Sequence, residues 1–220
     1  MQITRHTKKV EKTAHYATYG ELSESTKYFW FALHGSHMLC EQMLFKFEGF
    51  NPKEHFVVSP EGLSRFYLKG FGGDVVATWM TSHDRLIEIE DFTAFLSALY
   101  YEYEMKLPAD CKKILFGFSQ GGTSAFRWMY NRKIDFDHIL AYSTWFPEDL
   151  DFSKSKSDFN ENQIIYTIGD EDQYMNDERM EFLKNVADRN NFKVRYEIYK
   201  GTHRIEKNQL KHLFHKYFKM

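Results

Sequence analysis

The stretch from residue 113 to residue 131 constrains this chain more than any other. Ile114, Leu115, Phe116 and Phe118 form an apolar run with no breaker before Gly117, which reads as a short buried strand. Residues 123–131 read as a helix with Ala125, Trp128 and Met129 on one face. Between them stands Gly117-Phe118-Ser119-Gln120-Gly121, the G-x-S-x-G pattern in a strand–turn–helix setting. Such a turn holds the serine in a strained backbone conformation above the sheet, and side chains two positions before or after it would collide across the turn. The helix then starts beneath the serine, so its amide N–H groups and positive dipole end face the hydroxyl. A glycine-rich loop with an incidental serine is the alternative. A buried strand before the pattern and a helix after it favour a nucleophile elbow.

Around this stretch, strand-like and helix-like segments alternate. Residues 13–19 alternate weakly and read as an antiparallel edge strand. Apolar runs at 27–33, 55–58, 138–143 and 163–168 read as short strands, and 193–199 alternates. A helix is expected through Met38, Met43, Leu44 and Phe47. Another runs from an Asp84 cap to about Lys106, burying Ile89, Phe92, Leu96, Leu99 and Tyr103. Two more are expected over 177–189 and 205–218. Residues 63–82, with Gly70, Gly72 and Gly73 among aromatics, read as a long irregular loop, either packed on the core or facing a substrate. Residues 149–162 read as a solvated polar loop. The alternation predicts an α/β fold with a mainly parallel sheet covered on both faces, in one domain spanning residues 1–220.

Composition narrows the function classes. A formal net charge of −2 argues against a nucleic-acid or other polyanion partner. The longest apolar run, residues 28–33, is too short to span a bilayer, and residues 1–6 lack the apolar stretch of a signal peptide. Cys40 and Cys111 do not make a disulfide scaffold, so a reduced, cytoplasmic setting is expected. His34, His37 and Cys40, with Glu41, have a metal-like spacing. A break at His34-Gly35 keeps them off one helical face, so no metal is expected.

In a parallel sheet, functional residues gather at the carboxyl ends of the strands. Here those ends carry His34 to His37, Ser119, Asp170 to Asp172, and His203. A serine hydroxyl needs a base within reach, and the base needs an acidic orienter. Ser119, an acid at 170 or 172, and His203 follow in the order Ser, Asp, His. Asp170 directly follows Gly169 and can shape the turn. Asp172 is better placed to reach across. His212 and His215 fall on the last helix among charged neighbours. Acyl transfer also needs two N–H donors for the oxyanion, read here as the amides of Gln120 and Ser36.

Leu33-His34-Gly35, Gly117-Phe118-Ser119-Gln120-Gly121-Gly122, Trp145-Phe146-Pro147, Gly169-Asp170-Glu171-Asp172 and Gly201-Thr202-His203 occur in this order. Together they resemble the phospholipase/carboxylesterase family of α/β-hydrolases, which includes the acyl-protein thioesterases. The resemblance covers roughly residues 27–218. It implies an α/β-hydrolase fold without a separate lid domain, with Ser119 as nucleophile, Asp172 as orienter and His203 as base. It implies cleavage of small-molecule carboxylic esters or thioesters without a cofactor. Trp79 and Met80 resemble the region that lines the family's acyl site, and Trp145 and Phe146 gain a substrate role in the same way. An apolar acyl or aryl group is therefore expected. The family's glycine and aspartate after the early strand are replaced here by His37 and Met38. Two rival readings remain open at this level: an acyltransferase or peptidase using the same three residues, and a non-catalytic binding protein on the same scaffold.

Overall fold

The computed structural model describes residues 1–159 and 163–219. Strand β1 (Tyr16–Tyr19) follows an exposed N-terminal segment. Next come β2 (Tyr28–Leu33), α1 (Cys40–Leu44), β3 (His55–Pro60), β4 (Ser64–Lys69) and β5 (Gly72–Thr78). Then follow α2 (Arg85–Glu104), β6 (Lys112–Phe118), α3 (Gln120–Asn131), β7 (His138–Tyr142) and β8 (Gln163–Gly169). The chain closes with α4 (Asp177–Arg189), β9 (Val194–Tyr199) and α5 (Lys207–Leu213), which runs on into a π-helical turn, Phe214–Phe218.

Seven strands form one sheet in the order β1-β3-β2-β6-β7-β8-β9. All neighbours in it are parallel except β1, which pairs antiparallel with β3 at the edge. This is the mainly parallel α/β sheet that the alternation predicts. Alternation along β2 shows why both faces are covered. Phe29, Phe31 and Leu33 join the core beneath α2, α3 and α4, while Tyr28, Trp30 and Ala32 join the core beneath α1 and α5. A strand buried on both faces reads as an unbroken apolar run, and β2 is buried at all six positions.

Several expectations are corrected. Residues 63–82 are not an irregular loop, because β4 and β5 pair as an antiparallel hairpin in a separate two-stranded sheet. Most of the hairpin is exposed, so neither face imposes an apolar period, and its glycines read as breakers. Helix α3 begins at Gln120 rather than at 123 and is buried from Gly121 to Met129, not on one face alone. Its hydroxyls are satisfied locally: Thr123 and Ser124 both donate to the Gln120 carbonyl at 2.8 Å, which lets polar residues enter the core. In the stretch from 149, Phe152 and Phe159 are buried against Phe146 and Phe192, so it is not simply solvated. Residues 160–162 of that stretch lie outside the described residues. Asp84 stands at the start of α2 with φ 57° but makes no side-chain cap; its carboxylate pairs with Arg5 instead.

Candidate active site

Strand β6 ends at Phe118, and Ser119 follows at φ 51° and ψ −121°, a region that a side chain normally avoids. The surrounding glycines allow the turn to close. A Cβ on Gly117 would lie 2.4 Å from Gly122 Cα, and one on Gly121 would lie 2.3 Å from the Leu33 carbonyl oxygen. The elbow is tied to its neighbour strand, since Ser119 N–H donates to the Tyr142 carbonyl at 3.0 Å. Thr144 Oγ1 donates to the Ser119 carbonyl at 2.8 Å.

His203 lies beyond β9 in sequence and reaches Ser119 in space. Its Nε2 is 2.9 Å from Ser119 Oγ, and its Nδ1 is 2.7 Å from Asp172 Oδ2. With Nδ1–H donating to the carboxylate, Nε2 is left with a lone pair facing the hydroxyl. Asp172 is buried, and its other oxygen accepts the Tyr174 N–H at 2.9 Å. The imidazole packs between Phe118, at 5.1 Å between centroids, and Tyr174, at 4.6 Å. Asp170 instead ties the loop after β8 to the loop after β9: its Oδ1 accepts Gly201 N–H at 3.0 Å. Of the two acids weighed in the sequence, Asp172 is the one at the histidine.

Gln120 and Ser36 both line the cleft over Ser119. Gln120 holds the first position of α3, where an amide N–H has no carbonyl four residues earlier in the helix to accept it. Ser36 sits beyond Gly35, where a Cβ would lie 3.3 Å from Ser119 Cβ. Backbone thus approaches the serine from two sides. The Gln120 side chain also ties the elbow to the hairpin end. Its Oε1 accepts Thr78 Oγ1 at 2.9 Å and Trp79 N–H at 3.1 Å, and its Nε2 donates to the Met80 carbonyl at 2.9 Å.

The four expected substrate contacts divide. Met80 and Trp145 line the cleft. Trp79 is 1% exposed, packed against the His34 ring, with its indole N–H donating to the His34 carbonyl at 2.8 Å. Phe146 is 2% exposed and packs on Phe126. Both are core residues because a ring at the base of a loop buries more area inward than it could over an open cleft. The cleft, of about 950 Å³, is also walled by Arg85, Arg127, Glu148 and Asp149. Sequence reasoning missed this polar wall, as well as Tyr174. The four-residue spacing of Ser119, Thr123 and Arg127 was the available signal.

His34 is not placed as a metal ligand. Its Nδ1 donates to the Gly35 carbonyl at 2.7 Å and its Nε2 accepts the Gly62 N–H at 3.0 Å. Burial holds its pKa below the usual imidazole value, so it is neutral. Among the described residues, the ligating atoms that converge belong to Cys40, Glu41 and Glu61. Burial pushes the Cys40 thiol far up, which keeps it protonated, and Glu61 is already paired with Arg65. No described helix is long and apolar enough to cross a membrane.

A sequence model of the Phospholipase/Carboxylesterase family matches residues 88–217, more than half of the chain. No curated protein sequence matches it. Esterase PE8 has a similar structure, with TM-score 0.69 and 19% identity over 93% of this chain and 98% of its own. A phospholipase/carboxylesterase from Dyadobacter fermentans aligns with TM-score 0.70 and 16% identity, over 94% and 97% of the two chains. Acyl-protein thioesterase 2 from Zea mays aligns with TM-score 0.66 and 16% identity, over 91% and 96%. At such identities these likenesses establish the fold.

Proposed function

The chain belongs to the phospholipase/carboxylesterase family, and from that premise we propose that it is a serine hydrolase that cleaves a small-molecule carboxylic ester or thioester through an acyl-enzyme. The observation that carries this reading is the relay from Ser119 Oγ through His203 to Asp172, with steps of 2.9 and 2.7 Å. His203 Nε2 takes the proton as Ser119 Oγ attacks the carbonyl, and then delivers it to the leaving oxygen or sulfur. Asp172 holds the imidazole in the required tautomer and stabilises its charged form. The amides of Gln120 and Ser36 receive the oxyanion, each at a worth of about 3 kcal/mol. Water activated by the same histidine then releases the acid.

Hydrolysis is favoured over acyl transfer because the Glu148–Asp149 side of the cleft is exposed, leaving the acyl-enzyme open to water. A fluorophosphonate probe is expected to label Ser119. Ser119→Ala should abolish labelling and lower p-nitrophenyl ester turnover by at least about 10³-fold while leaving the fold intact. Turnover that survives the substitution would overturn the reading. Preferential product formation with added alcohols or amines would replace hydrolysis by transfer.

A further inference from the structure

The cleft carries ions beside Met80 and Trp145, where only an apolar acyl site was expected. Thr123 and Arg127 lie four residues apart on one face of α3, which starts immediately after Ser119, and all three residues line the cleft. Eight residues of helix separate the Ser119 and Arg127 backbones by roughly 12 Å. The Arg127 side chain is 6% exposed and spans Asp149: Nη1 donates to Oδ2 at 3.1 Å and Nη2 to Oδ1 at 2.5 Å. Arg85 approaches from the first residue of α2, donating to the same Oδ2 at 3.2 Å, and its side chain is 45% exposed. The cluster therefore sets two guanidiniums against one carboxylate. Among the described residues that line the cleft, the other acidic group on this side is Glu148, which is exposed and screened by water.

A well-packed apolar side chain would serve stability at least as well as Arg127 does. Burying a guanidinium strips it of water, a large desolvation cost. Arg127 Nε is moreover buried without a partner among the described residues, a further cost. An ion cluster held at that cost in the wall of a cleft calls for a ligand role. A long alkyl chain laid against it would strip water from three charged groups and gain nothing in return. A carboxylate would instead meet the planar fork of Arg85, whose donors are engaged once, by Asp149, among the described residues.

We infer that the cleft selects a half-ester, a substrate whose scissile carbonyl lies at Ser119 and whose far end carries a second carboxylate held by Arg85, with Arg127 behind it. The inference rests on the serine-hydrolase reading and names its substrate class. Hydrolysis adds water across the ester and releases the dicarboxylic acid and an alcohol.

The test compares p-nitrophenyl monoesters of succinate, adipate and suberate with p-nitrophenyl esters of the monocarboxylic acids of equal chain length. At one length, kcat/KM is expected to favour the charged ester by tenfold or more at low salt, with the preference shrinking as salt rises. Arg85→Met should bring that ratio close to one, and Arg85→Lys, which keeps the charge, should retain part of it. A ratio at or below one at every length, or a ratio unmoved by Arg85→Met, overturns the inference. Failure of the underlying reading would look different: both series inert, or turnover persisting in Ser119→Ala, with no fluorophosphonate labelling of Ser119.

Discussion

The elbow and the end of the β4–β5 hairpin are joined by the Gln120 side chain, and they are built on opposite principles. Each carries a cluster of glycines. At the elbow the glycines exist for close approach: a Cβ on Gly122 would lie 2.4 Å from Thr144 Cγ2, and Gly121 presses on the carbonyls of Leu33 and His34. At the hairpin, Gly70 and Gly72 have nothing within 4 Å of a built Cβ, and Gly70 serves the turn through its φ of 67°. The elbow is buried and lies inside the family match, whereas the hairpin is exposed and lies outside it. The same residue type therefore marks a packing constraint in one place and a chain reversal in the other, and burial tells them apart.

Substitutions should divide along this line. Gly121→Ala drives a methyl into two backbone carbonyls that cannot yield, so a loss of about 3 kcal/mol is expected, a fall in Tm of about 6–12 °C. Gly72→Ala should stay within about 1 kcal/mol. Thermal melts of the pair measure the contrast directly, and equal losses would erase it. Trp79→Phe tests the joint between the regions. It removes the donor to the buried His34 carbonyl, at a cost of about 1–3 kcal/mol. That carbonyl sits two residues before Ser36, so kcat should fall by about tenfold with KM much less affected. A KM effect alone would return Trp79 to substrate binding.

Protons sharpen the contrast further. Buried His34, beside the elbow, has a folded pKa below the unfolded value of about 6.5. The unfolded chain therefore takes up protons first as pH falls, and stability declines progressively below about pH 6.5. His55, pushed down to about 4 by burial, adds to the same slope. Tm measured from pH 8 to pH 5 should fall in the wild type and fall less steeply in His34→Gln. The smallest effect belongs to the hairpin tip, where Phe71 is fully exposed. Phe71→Ser should change stability by no more than about 0.5 kcal/mol in urea titration.

Legibility followed the same division. The elbow could be read because its signals are local: an apolar strand, a spaced glycine pair and a helix within 19 residues of chain. The hairpin could not, because exposed strands such as Ser64–Lys69 carry no apolar period. Trp79 and Phe146 were assigned to substrate by the family resemblance, and nothing in a sequence says which way a loop aromatic turns.

From its order of residues alone this chain determined a mainly parallel sheet, the turn at Ser119 and the sequence in which an acid and a histidine would follow. Those depend on apolar periodicity and on backbone sterics, which act over a few neighbouring residues. Only the tertiary structure decided that the Asp172 favoured in the sequence lies at His203, that Trp79 is buried with its indole bonded to the His34 carbonyl, and that Arg85, Arg127 and Asp149 converge on one wall. Each of those outcomes joins groups distant in the chain, and their separation is set by how the helices and loops stack on the sheet.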